Sequence, residues 1–243
     1  MVEQQAARAD QVRGLFDAKA ASWSAKYAPD GRLTSRLTLL TAALSRHVPP
    51  GGCVRDLGCG TGELARAAAG AGLRSTGCDI SEEMLLHAAD GDPGGAVRWM
   101  RLDPRWRRLP FVAAAFDAVV ASSLLEYVDD PAAVLRECAR VLRPGGAVLC
   151  TVPDLTHPVR WLEWPACLAA RSPLASAAGD RWPRMQNHLT YLRISRQRRR
   201  ARWWRSAALR SGLRPIPGPV DSGGRSTLRL LAFELTHDTG RIR

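Results

Sequence analysis

Two carboxylates and a run of glycines carry the most chemistry in this sequence. Val54-Arg55-Asp56-Leu57-Gly58-Cys59-Gly60-Thr61-Gly62-Glu63-Leu64-Ala65 sets an acid two residues ahead of three alternating glycines. Glycine takes positive φ freely and has no Cβ, so backbone here can lie directly against a ligand. The alanine-rich stretch that follows predicts a helix, whose first N–H groups point at the same place. A second acid, Asp79, stands 17 residues beyond Gly62, after a short apolar run and before Ser81-Glu82-Glu83. At the end of a strand such a carboxylate can accept both hydroxyls of a ribose; read alone, it is equally a helix-capping acid. Gly60, Gly62 and Ala65 also fit the spacing of a dinucleotide-binding turn. The register that begins at Gly58 does not, because Glu63 takes the third glycine's place, and Asp56 suits a cationic ligand better than a pyrophosphate. Further along, His157, His188 and Asp154 are candidate general bases, and Tyr127 is a candidate orienting or packing group.

These residues need a frame. Residues 3–28 read as a helix, with Trp23 and Tyr27 as an i, i+4 apolar pair, broken by Pro29-Asp30-Gly31. A second helix over 33–47 carries Leu33, Leu37, Leu40 and Leu44 at core spacing. Strands are expected at 53–57, 75–78, 97–100, 116–122, 147–152 and 228–234. Helices are expected at 63–71, 84–89 (Ser81 as N-cap), from Pro131 to Leu142, and within 193–214. Leu142-Arg143-Pro144-Gly145-Gly146 reads as a turn without chemistry.

With 243 residues, the chain can bury one substantial α/β core. No apolar run approaches the ~18 residues of a membrane span, and the polar N-terminus lacks a signal core, so a cytoplasmic protein is expected. Cysteines 53, 59, 78, 138, 150 and 167 contain no C-x-x-C pair, so reduced thiols and no metal site are expected. The net charge of +12 comes from arginine. Residues 181–220 hold eleven arginines and no acid, with Trp182, Tyr191, Trp203 and Trp204 interleaved. That pattern fits an anionic substrate, a nucleic acid or an anionic membrane, and it also fits an arginine-rich overall composition.

The sequence resembles the class I S-adenosylmethionine-dependent methyltransferases over about residues 15–152. The resemblance rests on the glycine turn as D-x-G-x-G-x-G, on Gly77-Cys78-Asp79-Ile80-Ser81-Glu82-Glu83-Met84-Leu85, on residues 116–130, and on Leu142-Arg143-Pro144-Gly145-Gly146. It implies a Rossmann-like α/β three-layer sandwich: a seven-stranded, mostly parallel sheet with an antiparallel last strand. It also implies a cofactor site built from Asp56, Gly58, Cys59, Gly60, Gly62, Asp79, Ile80, Met84, Asp103, Ser122 and Leu124. In the family the second acid binds the ribose, Ile80 and Met84 occupy the positions that flank the adenine, and Asp103 belongs near its amino group. Trp23 and Tyr27 match an aromatic pair that closes over the sulfonium. Tyr127 stands where many relatives carry His, Pro104 departs from the usual pattern, and Arg105-Trp106-Arg107-Arg108 is an insert. A lid at 1–50, a cofactor-binding core at 51–152 and an acceptor-covering part at 153–243, all within one domain, follow from the same resemblance.

The acceptor is open. Ser122-Ser123-Leu124-Leu125 stands where amino-group methyltransferases of bases carry N-P-P-Y or D-P-P-Y. A Pro-Cys nucleophile and a carboxylate cluster for magnesium are also lacking. A small-molecule acceptor is therefore expected, methylated at oxygen, in secondary-metabolite, quinone or glycan modification, with His157, His188 or Tyr127 nearest the chemistry. A nucleic-acid-directed enzyme using 181–214 and a non-catalytic cofactor-binding scaffold are the alternatives.

Overall fold

Residues 116–122 are nearly continuously apolar, which suits a strand covered by helices on both faces. The computed structural model describes residues 2–31, 33–159, 190–195, 197–217 and 227–236. In it this stretch is β4 (Phe116–Ser122), at the centre of a seven-stranded sheet. The others are β1 (Cys53–Leu57), β2 (Arg74–Asp79), β3 (Val97–Arg101), β5 (Leu142–Pro153), β6 (Leu213–Pro215) and β7 (Leu228–Leu235). The order is β3-β2-β1-β4-β5-β7-β6. Strands β1 to β5 pair in parallel, and β7 runs antiparallel to both β5 and β6. This is the sheet the resemblance implied.

Helices α1 (Val2–Asp17), α2 (Thr34–His47), α3 (Glu63–Gly70), α4 (Glu82–Asp90), α5 (Pro131–Val141) and α6 (Ala201–Leu209) complete the frame. Alternation along β4 divides the core. Val119 and Ala121 pack with Leu135 and Cys138 of α5 and Trp204 of α6, whereas Ala118 and Val120 pack with Leu40 and Leu44 of α2 and Leu64 of α3. Local signals fix the helix starts: Ser81 Oγ accepts the Met84 N–H, and Asp130 Oδ1 accepts the Ala133 N–H ahead of Pro131.

Three expectations are corrected. The helix expected over 3–28 ends at Asp17, and two 3-10 turns follow, Ala20–Ser22 and Ser24–Tyr27. The bend brings the Phe16 and Trp23 rings to 5.5 Å in one cleft with Tyr27, where seven residues of straight α-helix would set them ~10 Å apart along its axis. The helix expected within 193–214 is α6, separated from helical residues 190–194 before it, and its chain continues into the short edge strand β6. The Leu142-Arg143-Pro144-Gly145-Gly146 turn lies within β5 as a bulge: Phe116 pairs with Leu142, but Ala118 pairs with Ala147. From this bulge Arg143 reaches Asp117 Oδ2 at 2.5 Å, and the same oxygen accepts the Cys53 N–H. Burial alone would raise the Asp117 carboxyl, but Arg143 and the Cys53 N–H hold it below the usual range.

Arg55 is the anomaly of the core. It is fully buried on the α5 side of β1, with its guanidinium 3.2 Å from the Phe111 ring centre and Nη1 2.6 Å from Cys78 Sγ. Its Nε and Nη2 have no partner, and burial lowers its pKa to about 10.

Candidate functional site

The strand order reverses between β1 and β4, and a cleft opens at their C-terminal ends, as expected at a topological switch point. It holds about 910 Å³ of atom-free space, counted out into the open solvent at its mouth. The turn after β1 forms its floor. Gly58, Gly60 and Gly62 all take positive φ, at 75°, 55° and 83°. A Cβ on Gly60 would stand 3.2 Å from Trp23 Nε1, and one on Gly58 3.0 Å from Leu124 Cδ1. Gly62 has another reason to be glycine: a Cβ there would overlap the Trp99 ring of β3, which packs beneath the turn.

Asp79 ends β2 and is 9% exposed. Its Oδ2 accepts the Gly60 N–H and its Oδ1 the Ser81 N–H, both at 2.9 Å, so the turn and the α4 cap fix the carboxylate together. Asp56, 2% exposed, lies on the same floor. Burial, then the charges of Asp79 and Glu63, push its pKa up to about 7. Burial also raises Asp79, against the N–H groups of Ser81 and Gly60. Two buried carboxylates with raised pKa values make a site that lowers its free energy by taking in positive charge.

Opposite them stands Arg36 of α2, which the sequence did not single out because a lone arginine on an amphipathic helix reads as a surface residue. Its Nη1 donates to Ser123 Oγ at 2.5 Å, and Nη2 lies 3.5 Å from Tyr27 Oη. Its Nε is buried without a partner. Ser123 has φ 52°, an uncommon conformation for a non-glycine, stabilised where its N–H donates to Thr151 Oγ1.

The N-terminal segment is anchored at several points. Arg8 bonds Asp129 and donates to the Ile194 carbonyl at 2.8 Å, and Ser81 Oγ donates to Asp17 at 2.5 Å. The Phe16 ring meets Trp23 and Tyr127 edge-on, with centroids 5.5 and 5.2 Å apart.

Of the cofactor positions inferred from sequence, Asp56, Gly58, Cys59, Gly60, Asp79, Ile80, Met84, Ser122, Leu124 and Tyr27 line this cleft. Gly62 and Asp103 do not. Asp103 is exposed, and its Oδ1 turns to the Arg105 N–H at 2.7 Å. Leu102 and Trp106 line the wall there instead, so the insert supplies an aromatic that its basic composition concealed. Tyr127 lines the cleft with its phenol held well above its ordinary pKa, by burial first and then by Glu126. His157 sits beyond β5, its Nδ1 accepting the Val159 N–H, and does not line the cleft; Asp154 pairs with Arg229. His188, like Trp161, Trp164 and Trp182, lies outside the described residues.

Comparison with known proteins bears on this geometry. The family profile described as a methyltransferase domain matches residues 55–150. A ubiquinone biosynthesis O-methyltransferase of Xanthomonas campestris is 30% identical over 194 residues, covering 76% of this chain and 73% of the relative. A ubiquinone/menaquinone biosynthesis C-methyltransferase of Desulfotalea psychrophila is 38% identical over 119 residues, 48% of this chain and 47% of the relative. Among solved structures, the magnesium protoporphyrin IX methyltransferase of Synechocystis with bound S-adenosylhomocysteine shares the fold, with a TM-score of 0.68 at 18% identity over 93% of this chain and 98% of its own. The chain belongs to the class I S-adenosylmethionine-dependent methyltransferases. S-adenosylmethionine is its cofactor, and it is an S-adenosylmethionine-dependent methyltransferase enzyme. The residues present fit that cofactor: a glycine cradle that side chains would fill, two buried carboxylates for its cationic and hydroxyl groups, and an orphaned arginine nitrogen for its carboxylate.

Proposed function

We propose that the protein methylates a hydroxyl of a small, largely apolar acceptor of the quinone-precursor kind. The observation that carries this reading is the cleft lining above Asp56: Phe16, Trp23, Leu37, Leu124 and Tyr127, with Arg36 the one cation among them. Such walls favour a flat, apolar ring over a strongly hydrated acceptor. The Xanthomonas relative, an O-methyltransferase named for ubiquinone biosynthesis, supports the same class.

In this reading Asp79 accepts the ribose hydroxyls, Ile80, Met84 and Trp106 flank the adenine, Arg36 holds the amino-acid carboxylate and Asp56 faces the ammonium. The cofactor supplies a methyl group already activated by a positively charged sulfur. The chain's work is then to hold the acceptor oxygen in line and keep water out, a contribution of ~7–11 kcal/mol where orientation is good. Tyr127, kept protonated and directed at Glu126, positions the lid ring Phe16. His188 remains the proposed general base, from the segment beyond β5.

The test is turnover of methyl-labelled cofactor with hydroxylated quinols, phenols, amines and carbon acids, with mass spectrometry of the product. Label on a phenolic oxygen is expected; label confined to nitrogen or carbon rules the reading out. In parallel, Asp79→Ala should weaken cofactor binding ~10–100-fold by calorimetry, the range for a charged hydrogen-bonding group. Unchanged affinity would remove Asp79 from the site.

A further inference from the structure

We infer that the exposed face of α6 docks on an anionic phospholipid bilayer. The inference does not depend on which acceptor is methylated. Trp204, Ala207 and Ala208 bury one side of α6, while Arg202, Arg205, Ser206 and Leu209 form the exposed stripe on the other. Arg210 continues the stripe, its Nη1 on Ser206 Oγ at 2.7 Å, and exposed Arg199 and Arg200 precede it.

Elsewhere several exposed arginines are matched with acids, such as Arg101 with Glu82, Arg105 with Asp10 and Arg136 with Asp130, while exposed ones without an ion pair among the described residues, such as Arg46 and Arg98, stand apart in the chain rather than in a run. Among the described residues Arg199, Arg200, Arg202, Arg205 and Arg210 have no carboxylate partner, and residues 181–220 contain no acid at all. Arginine-rich composition alone would leave acids interspersed here as it does elsewhere on the surface. Five unmatched guanidinium groups on one surface repel one another until an anionic partner arrives.

The structure separates a bilayer from a nucleic acid. Binding of single-stranded nucleic acid uses exposed aromatic rings as stacking platforms. The tryptophans interleaved with these arginines do not provide them. Trp204 is fully buried with Nε1 on the Arg199 carbonyl, and Trp203 is half-buried, edge-on to Trp204 and covered by the Arg199 guanidinium. In their place the stripe presents Leu209, 54% exposed between Arg205 and Arg210. An aliphatic side chain set among arginines is the pattern of a helix lying in a membrane interface, the leucine entering the acyl boundary while the guanidinium groups hold phosphates. The face also adjoins the cleft. Gln197, just before it, donates to the carbonyls of Val128 and Asp129, next to cleft-lining Tyr127.

The experiment is sedimentation of the full chain with vesicles of pure phosphatidylcholine and with about 30% phosphatidylglycerol, at about 0.15 M salt. Partition into the anionic vesicles only is expected, and it should fall as salt rises. Arg202→Gln/Arg205→Gln/Arg210→Gln should lower it ~100-fold, about fivefold per charge near an anionic surface. Leu209→Ser should lower it ~10-fold even at low salt, through the lost apolar contact. Cofactor binding by both variants, measured by calorimetry, should match that of the parent and show that they are folded. Equal partition into neutral and anionic vesicles, or full partition of the triple variant, overturns the inference. So does an RNA oligonucleotide that binds this face while anionic vesicles leave the protein in solution.

Discussion

Asp56→Asn should flatten the pH profile of cofactor binding. Burial and the neighbouring charges of Asp79 and Glu63 hold the Asp56 pKa near about 7, so the empty site carries a proton there below neutral pH. A ligand bringing positive charge to Asp56 must displace that proton, and its affinity falls as pH drops through 7. With a free-site pKa of about 7 and a bound-site value near the ordinary ~4, affinity should fall about 70-fold between pH 7.5 and pH 5. Calorimetry in two buffers of different ionisation enthalpy counts the protons; release near about 0.9 per cofactor is expected at pH 6. Asp56→Asn should bind more weakly at pH 7.5 and lose most of the slope. A residual slope belongs to Asp79, whose pKa is also raised by burial. Without ligand, the same shift works on folding: a carboxyl with a raised folded-state pKa destabilises the protein as pH climbs from about 4 to about 7, by on the order of 4 kcal/mol. Constant affinity across pH 5–7.5, or a full slope persisting in Asp56→Asn, would refute the reasoning.

Arg36→Gln removes a cation that lowers the Asp56 pKa, so it should weaken cofactor binding and move the pH step upward; an unmoved step by the same calorimetry would count against it. Gly62→Ala places a side chain at φ 83° and against Trp99, and should cost ~2–4 kcal/mol in urea unfolding. Adding Trp99→Leu should restore the part due to overlap but leave the backbone part. Arg55→Leu removes a buried cation held to a pKa of about 10, a penalty of ~3 kcal/mol that ring contacts offset by ~1–2. The variant should therefore unfold at higher denaturant, and a loss above ~1 kcal/mol would show that Arg55 is a net stabiliser.

Legibility in the sequence followed the range of the physics. The glycine turn, the Ser81 cap, the proline start of α5 and the apolar run of β4 are local signals, and each forms where it was read. Asp56 and Asp79 were legible because a strand end followed by a turn fixes where a side chain can point. Arg36 and Trp106 were not, since what makes them site residues is the fold that brings α2 and the insert to one cleft. Gly62 was read as a ligand-facing glycine, but its neighbour is Trp99, on a strand two positions away in the sheet. Asp103 was placed by resemblance, and the turn made by the insert claimed its carboxylate. The three-residue β6 offers no periodicity at all; it forms because β7 presents a free edge.

The anchoring of α1 has a mechanical consequence. Arg8 pins the helix to the segment after β4, and Asp17 pins its end to the cap of α4. The chain between Asp17 and Thr34, carrying Trp23 and Tyr27, spans the gap as a short flap held at both ends. In the proposed reading, exchange of spent cofactor for fresh would move the Trp23 and Tyr27 rings aside on local turns, while the helix stays seated and the wall at Phe16 and Tyr127 keeps its shape. Each round of turnover would then begin with the α1 side of the cleft already assembled.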